Sequence, residues 1–272
     1  MGVQGAALAT IISQAVSAVW VLVFLTGKKT ILRIRLSRLR LNPKIIGPVL
    51  ALGVSPFIMQ STESLLSICF NTQLQRFGGD LAVGAMAILT SVMQFGMLPL
   101  MGLTQGAQPI ISYNFGARNA DRVKKAFQLL LVCSMIFTFV LWAGCMLVPK
   151  AFILIFSSDS ALTEISVWAM RIYMGTFLFF GAQIACQQTF IALGQAAVSL
   201  FLALLRKVIL LIPLIFILPL FFSDQVFAVF LAEPIADFLA VLVTVLMFTF
   251  RFRKILAGLR LNSAAANPAE KA

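Results

Sequence analysis

Glu63 is the residue in this sequence best placed to do chemistry. It stands in Ser55-Pro-Phe-Ile-Met-Gln-Ser-Thr-Glu-Ser64, in the middle of an apolar run, and helical spacing lines Gln60, Glu63, Ser67 and Asn71 along one face. A carboxylate at the centre of a lipid-facing helix costs roughly 3 kcal/mol, so a polar stripe of this kind should face a cavity or neighbouring helices. Two roles fit Glu63: a cation or proton site whose charge partner is exchanged as the protein moves, or a structural hydrogen bond between helices. Weaker candidates for a substrate path follow the same logic. Gln94, the pair Gln183 and Gln187, the adjacent Arg206 and Lys207, and the pair Glu233 and Asp237 all interrupt apolar sequence. For the glutamines the alternative is helix-to-helix bonding. Arg206 and Lys207 could instead mark a helix end and snorkel, and Glu233 could lie near the outer interface.

The elements that must position these residues are membrane helices. With 61% hydrophobic and 11% charged residues, the chain could not cover itself with a polar surface in water. Apolar runs of spanning length lie at about 2–26, 45–75, 81–113, 126–148, 165–193, 196–220 and 226–250, which predicts an all-α polytopic bundle of about seven spans. Pro56 and Pro99 are placed to kink the long second and third spans.

The net charge of +12 sits in the connectors, where it sets orientation and does not form a nucleic-acid footprint. Lys28, Lys29, Arg33, Arg35, Arg38, Arg40 and Lys44 make residues 27–44 the most basic connector, expected in the cytoplasm beside anionic membrane lipids or as a solvated loop. Arg118, Arg122, Lys124 and Lys125, and then Arg251, Arg253, Lys254 and Arg260, put the next alternate connector and the carboxyl terminus on the same side. Asp80, Asp159, Glu164 and Asp224, with only Arg76 and Lys150 as bases, fall on the other side.

Enzyme chemistry has little to work with. The sequence has no histidine, nucleophile elbow, HExxH motif or phosphate-binding glycine loop. Cys69, Cys133, Cys145 and Cys186 lie inside apolar runs without metal-ligand spacing. No metal or cofactor is expected, and the GxxxG element Gly102–Gly106 is expected to pack helices.

Gln105-Gly-Ala-Gln-Pro-Ile-Ile-Ser-Tyr-Asn-Phe-Gly-Ala117, followed by Arg122-Val-Lys-Lys125, resembles the multidrug and toxic compound extrusion (MATE) family, in its MepA-like branch. Gly53-Val-Ser-Pro56 with Glu63, Gly78-Gly-Asp80, Leu193-Gly194, Leu205-Arg206 with Pro213, and Glu233-Pro-Ile-Ala-Asp237 extend the resemblance over nearly the whole chain. The resemblance implies twelve helices in two six-helix lobes, of which this chain matches the last seven. Residues 1–26 then correspond to the last helix of the first lobe, 27–44 to the cytoplasmic inter-lobe connector, 45–255 to the second lobe and 256–272 to a cytoplasmic tail.

The chain is accordingly expected to be part of a longer protein, with the first lobe as its missing partner. The implied activity is a plasma-membrane antiporter that exports drugs and other amphipathic organic compounds in exchange for protons or sodium ions, with Glu63 as the coupling carboxylate. Some relatives add an aspartate in the tenth helix; the corresponding span here offers Gln183 and Gln187. The alternatives are a lipid-linked oligosaccharide flippase of the same broader fold group and a truncated remnant without transport activity.

Overall fold

The structure is a computed structural model that describes residues 2–27 and 43–266. Most of the basic connector at 27–44 and the end of the tail lie outside the described residues. The chain divides into two compact units, Met1–Val54 and Ser55–Ala272. The first carries α1 (Gly2–Thr26), an apolar helix without an acid in its first turn or a base in its last. All that follows on core and site concerns the second unit.

The element order continues with α2 (Pro43–Gly116), α3 (Ala120–Leu147), α4 (Pro149–Leu154), α5 (Ser160–Tyr173), α6 (Phe177–Ala192) and α7 (Ala196–Leu204). A π-helical segment (Leu205–Leu211), α8 (Ile212–Ile217), a 3-10 turn (Leu218–Leu220) and α9 (Gln225–Ala266) complete it. Among the described residues five helices are long and apolar enough to cross a membrane, or six if α5 and α6, bent by 52°, are counted together as one span.

The difference from seven expected crossings lies in α2. Its Gln60–Gly116 stretch is 57 residues, about 85 Å at 1.5 Å per residue against a hydrocarbon core of about 30 Å. Inside it the backbone leaves helical φ/ψ at Gly79 (φ 62°, ψ −158°), a conformation open essentially to glycine alone. The break between the second and third runs therefore falls at Gly79. Pro56 and Pro99, expected to kink these spans, both sit in helical φ/ψ.

The expected fifth span, continuous over 165–193, is instead broken between α5 and α6. Gly175 lies in that break, where a Cβ would come within 3.0 Å of the Ile172 carbonyl oxygen.

One core joins Leu66, Phe70 and Leu74 of α2 before Gly79 to Ala85, Leu89 and Val92 after it, together with Met170, Phe177, Phe180, Leu211 and Phe230. A second core forms around Phe127, Phe190, Phe248 and Phe252, with Phe127 and Phe248 ring centroids 4.5 Å apart.

Two details fix which element ends lie together. A Cβ at Gly78 would meet Val226 at 2.9 Å, so the Gly79 break lies beside the start of α9. Arg260 bonds Asp121 at 2.7 Å, so the start of α3 lies beside the far end of α9. This agrees with the charge reading that places the 114–125 connector and the carboxyl-terminal segment on one side.

At the start of α5 the Asp159 carboxylate accepts from the Ala161 and Leu162 backbone N–H groups at 2.8 and 3.1 Å. Two donors that the helix cannot satisfy itself are thereby paired. Replacing Asp159 with Ala is expected to destabilise this helix start by about 1 kcal/mol. Faster amide hydrogen exchange at 161–163 than in the parent would show it, and unchanged exchange there would refute it.

Candidate functional site

Five charged side chains meet inside the second unit. Arg206 is buried on the π-helical segment; its Nη2 donates to Glu233 Oε1 at 2.8 Å and its Nε donates to Asp237 Oδ1. Side-chain exposure is 10% for Arg206, 6% for Glu233 and 4% for Asp237, so this is an interior ion cluster. Glu233 and Asp237 reach one guanidinium together because they are four residues apart on α9, one above the other on the same face. The guanidinium also lies 4.8 Å from the centroid of the Phe180 ring on α6, a cation–π contact that replaces some of the hydration the charge has lost.

The next residue along the chain turns elsewhere. Lys207 Nζ donates to Glu63 Oε1 of α2. Its own side chain is 14% exposed while that of Glu63 is 55% exposed. The lysine thus comes from within the bundle and the carboxylate opens outward.

The local backbone explains how neighbours serve two helices. Pro213 has no N–H to give, and its ring crowds the carbonyl four residues back. The turn before it is widened, and the Ile212 N–H donates to the Lys207 carbonyl, five residues back. Such π-helical turns recur at functional positions.

Counted together, Glu63, Glu233 and Asp237 oppose Arg206 and Lys207, three carboxylates against two cations. Tyr173 of α5 is buried beside them, edge-on to Phe70 with ring centroids 6.4 Å apart, and lies within electrostatic reach of Glu63, Arg206, Glu233 and Asp237. With all five groups ionised, the arrangement carries one formal negative charge in excess, which one monovalent cation or proton would balance. Among the described residues no group of three or more His, Cys, Asp or Glu side chains is placed to hold a metal ion.

A family model described as MatE matches residues 56–217, more than half of the chain and inclusive of Glu63, Arg206 and Lys207. The chain belongs to the MatE family.

The curated relatives include the multidrug export protein MepA of Staphylococcus aureus (strain NCTC 8325 / PS 47), 23% identical over 249 residues. MepA of Staphylococcus saprophyticus is 27% identical over 253 residues. Each match takes in 91% of this chain and 54% of the relative, so the chain spans about half the length of the curated relatives it matches. Among solved structures, the MATE multidrug transporter DinF-BH, determined as a complex, is 36% identical with a TM-score of 0.77, over 94% of this chain and 57% of that one. This MatE chain is a multi-pass membrane protein of a transporter family and not an enzyme.

The remaining residues singled out in the sequence are dispersed. Gln60, Ser67 and Asn71 are exposed along with Glu63, and the Lys207 ammonium group reaches only the carboxylate. Gln94 is exposed on α2 beyond Gly79. Gln183 is buried with its Oε1 lacking a hydrogen-bond partner among the described residues, and the Gln187 side-chain amide donates to the Ser199 carbonyl at 3.5 Å.

Arg206 does not snorkel and Glu233 is not exposed; each is the other's partner. Gly102 and Gly106, expected to pack helices closely, have nothing within 4 Å of a Cβ. They border instead a groove of about 670 Å³ between α2 and α3, whose wall includes Arg122 and Lys125.

Sequence reasoning missed Phe180 and Tyr173. The signal for Tyr173 was available, since a tyrosine in an apolar span carries a hydroxyl that has to be accommodated.

Proposed function

We propose that this chain supplies the second lobe of a cation-coupled antiporter that exports drugs and other amphipathic organic compounds across the plasma membrane. Residues 1–26 form the last helix of the first lobe, 27–44 the inter-lobe connector, 45–255 the second lobe and 256–272 a tail that lies in the cytoplasm. A first lobe, in the same polypeptide or a separate one, completes the transporter, and the substrate binds between the lobes. The coupling ion is a proton or a sodium ion, and Glu63 takes it.

One observation carries this reading: three carboxylates share two cations within the membrane helices, and the carboxylate at the exposed edge is Glu63. An intramembrane charge that is partnered and accessible is by default read as part of a functional site such as an ion pathway. A cation entering there gives one conformation a differential stability, which alternating access requires. The printed names of the relatives, a multidrug export protein and a multidrug transporter, support the substrate class. The oligosaccharide flippase is less well supported, because a lipid-linked phosphate calls for an excess of positive charge and this network has an excess of negative charge.

Glu63→Gln in the complete transporter is expected to reduce ion-driven efflux of an organic cation dye such as ethidium to background. Its abundance in the membrane should remain that of the parent. Efflux at the parent rate would remove Glu63 as the coupling residue and this mechanism with it.

A further inference from the structure

A site that takes a cation should be open to one, yet Glu63 already holds an ammonium group. We propose that Lys207 is a tethered occupant of the Glu63 cation site, displaced by the incoming monovalent cation and received by the Glu233–Asp237 carboxylates. The proposal rests on the reading of Glu63 as the coupling carboxylate.

Access and retreat lie on opposite sides of the pair. Glu63 is 55% exposed and Lys207 14%, so a cation reaches the carboxylate from the open side while the lysine can withdraw inward. The Glu233–Asp237 carboxylates lie on the buried side, with side chains 6% and 4% exposed against 55% for Glu63. Lys207 follows Arg206, which faces both Glu233 and Asp237, two negative charges against one positive. The Lys207 charge is already felt at both of these carboxylates.

The charged and titratable groups around this path are Glu63 from α2, Tyr173 from α5, Arg206 beside it, and Glu233 and Asp237 from α9. A flexible four-carbon stem with three donors can change partners where a planar guanidinium held by two bonds cannot.

Both states keep every positive charge beside a negative one. Without the cation, Lys207 neutralises Glu63, and Arg206 serves the α9 pair with one negative charge in excess. With the cation on Glu63, Lys207 and Arg206 together neutralise Glu233 and Asp237. With all five groups ionised, one monovalent cation takes the network from a formal charge of −1 to zero, and the lysine couples the α9 pair to what happens at α2.

The test measures ethidium efflux by the complete transporter in vesicles, titrated separately with protons and with NaCl, for the parent, Lys207→Met, Lys207→Gln, Lys207→Arg and Glu63→Gln. Removing a positive charge beside a carboxylate raises its affinity for another cation by about tenfold or more. Lys207→Met and Lys207→Gln are therefore expected to reach half-maximal efflux at about one tenth of the parent's concentration of the coupling ion. Lys207→Arg keeps the positive charge on Glu63 and is expected to need at least the parent's concentration of the coupling ion, because a guanidinium exchanges partners less readily than an ammonium group. Running two neutral variants separates loss of charge from a packing defect peculiar to one of them. Parental ion dependence in both, with Glu63→Gln inactive, overturns the tethered lysine and leaves Glu63 as the coupling site. Active Glu63→Gln overturns both.

Discussion

Arg206→Met is expected to destabilise the protein by about 3–5 kcal/mol, because it leaves two buried carboxylates without their partner. Glu233 and Asp237 are 6% and 4% exposed at the side chain, and neither can turn to water. The pair sits four residues apart on α9 while the arginine comes from the turn before α8, so the loss acts between elements rather than within one. The thermal midpoint of the detergent-extracted protein should fall by several degrees.

A control separates the cost of stranded charge from the worth of the ion pairs themselves. Combining Arg206→Met with Glu233→Gln and Asp237→Asn removes every charge in the cluster and should restore much of the lost stability, since a buried ion cluster often contributes little over neutral groups of its own shape. If Arg206→Met melts with the parent, the cluster does not hold these helices. If the triple variant melts lower still, the ion pairs are themselves net stabilising.

How far the sequence reveals this cluster depends on the distance over which each signal acts. Glu63, Arg206, Lys207, Glu233 and Asp237 are all visible as charges interrupting apolar runs, and the spacing of Glu233 and Asp237 already puts them on one helix face. Their partners are not visible. Arg206 bonds residues 27 and 31 positions away and Lys207 one that is 144 away, and a one-dimensional pattern carries no information on which helix faces meet. That is why snorkelling remained a fair alternative for Arg206 until packing placed it beside α9.

Breaks in the helices divide the same way. The runs ending near 75 and resuming near 81 predict an interruption, and the structure puts it at Gly79, one of the few residues able to take φ 62° with ψ −158°. Proline gave a less direct signal. Pro56 and Pro99 leave helical backbone intact, whereas Pro213 follows a widened turn that sets the directions of Arg206 and Lys207. The same residue type has different outcomes because membrane helices differ in what is near enough to satisfy the freed carbonyl.

The helix crossing that supports Phe180 left no such trace, and it carries the second large expected effect. Gly181 faces α3 so closely that a Cβ would lie 2.6 Å from the Ser134 carbonyl oxygen and 2.7 Å from Thr138 Oγ1. Thr138 Oγ1 in turn donates across the crossing to the Leu178 carbonyl at 3.2 Å. A backbone oxygen cannot rotate out of the way as a side chain can, so even Gly181→Ala must push α6 off α3. It should cost about 3 kcal/mol, at the upper end for overpacking, and break the Thr138 bond. Because Phe180 precedes Gly181, the displacement also moves the ring from the Arg206 guanidinium, and transport should fall along with stability. Thr138→Ala is the informative companion. It removes one of the three close atoms but leaves the Ser134 carbonyl carbon and oxygen, so the double variant should recover only part of what Gly181→Ala loses. Full recovery would assign the clash to the hydroxyl alone, and an unaltered thermal midpoint in Gly181→Ala would mean that the two helices do not cross this closely.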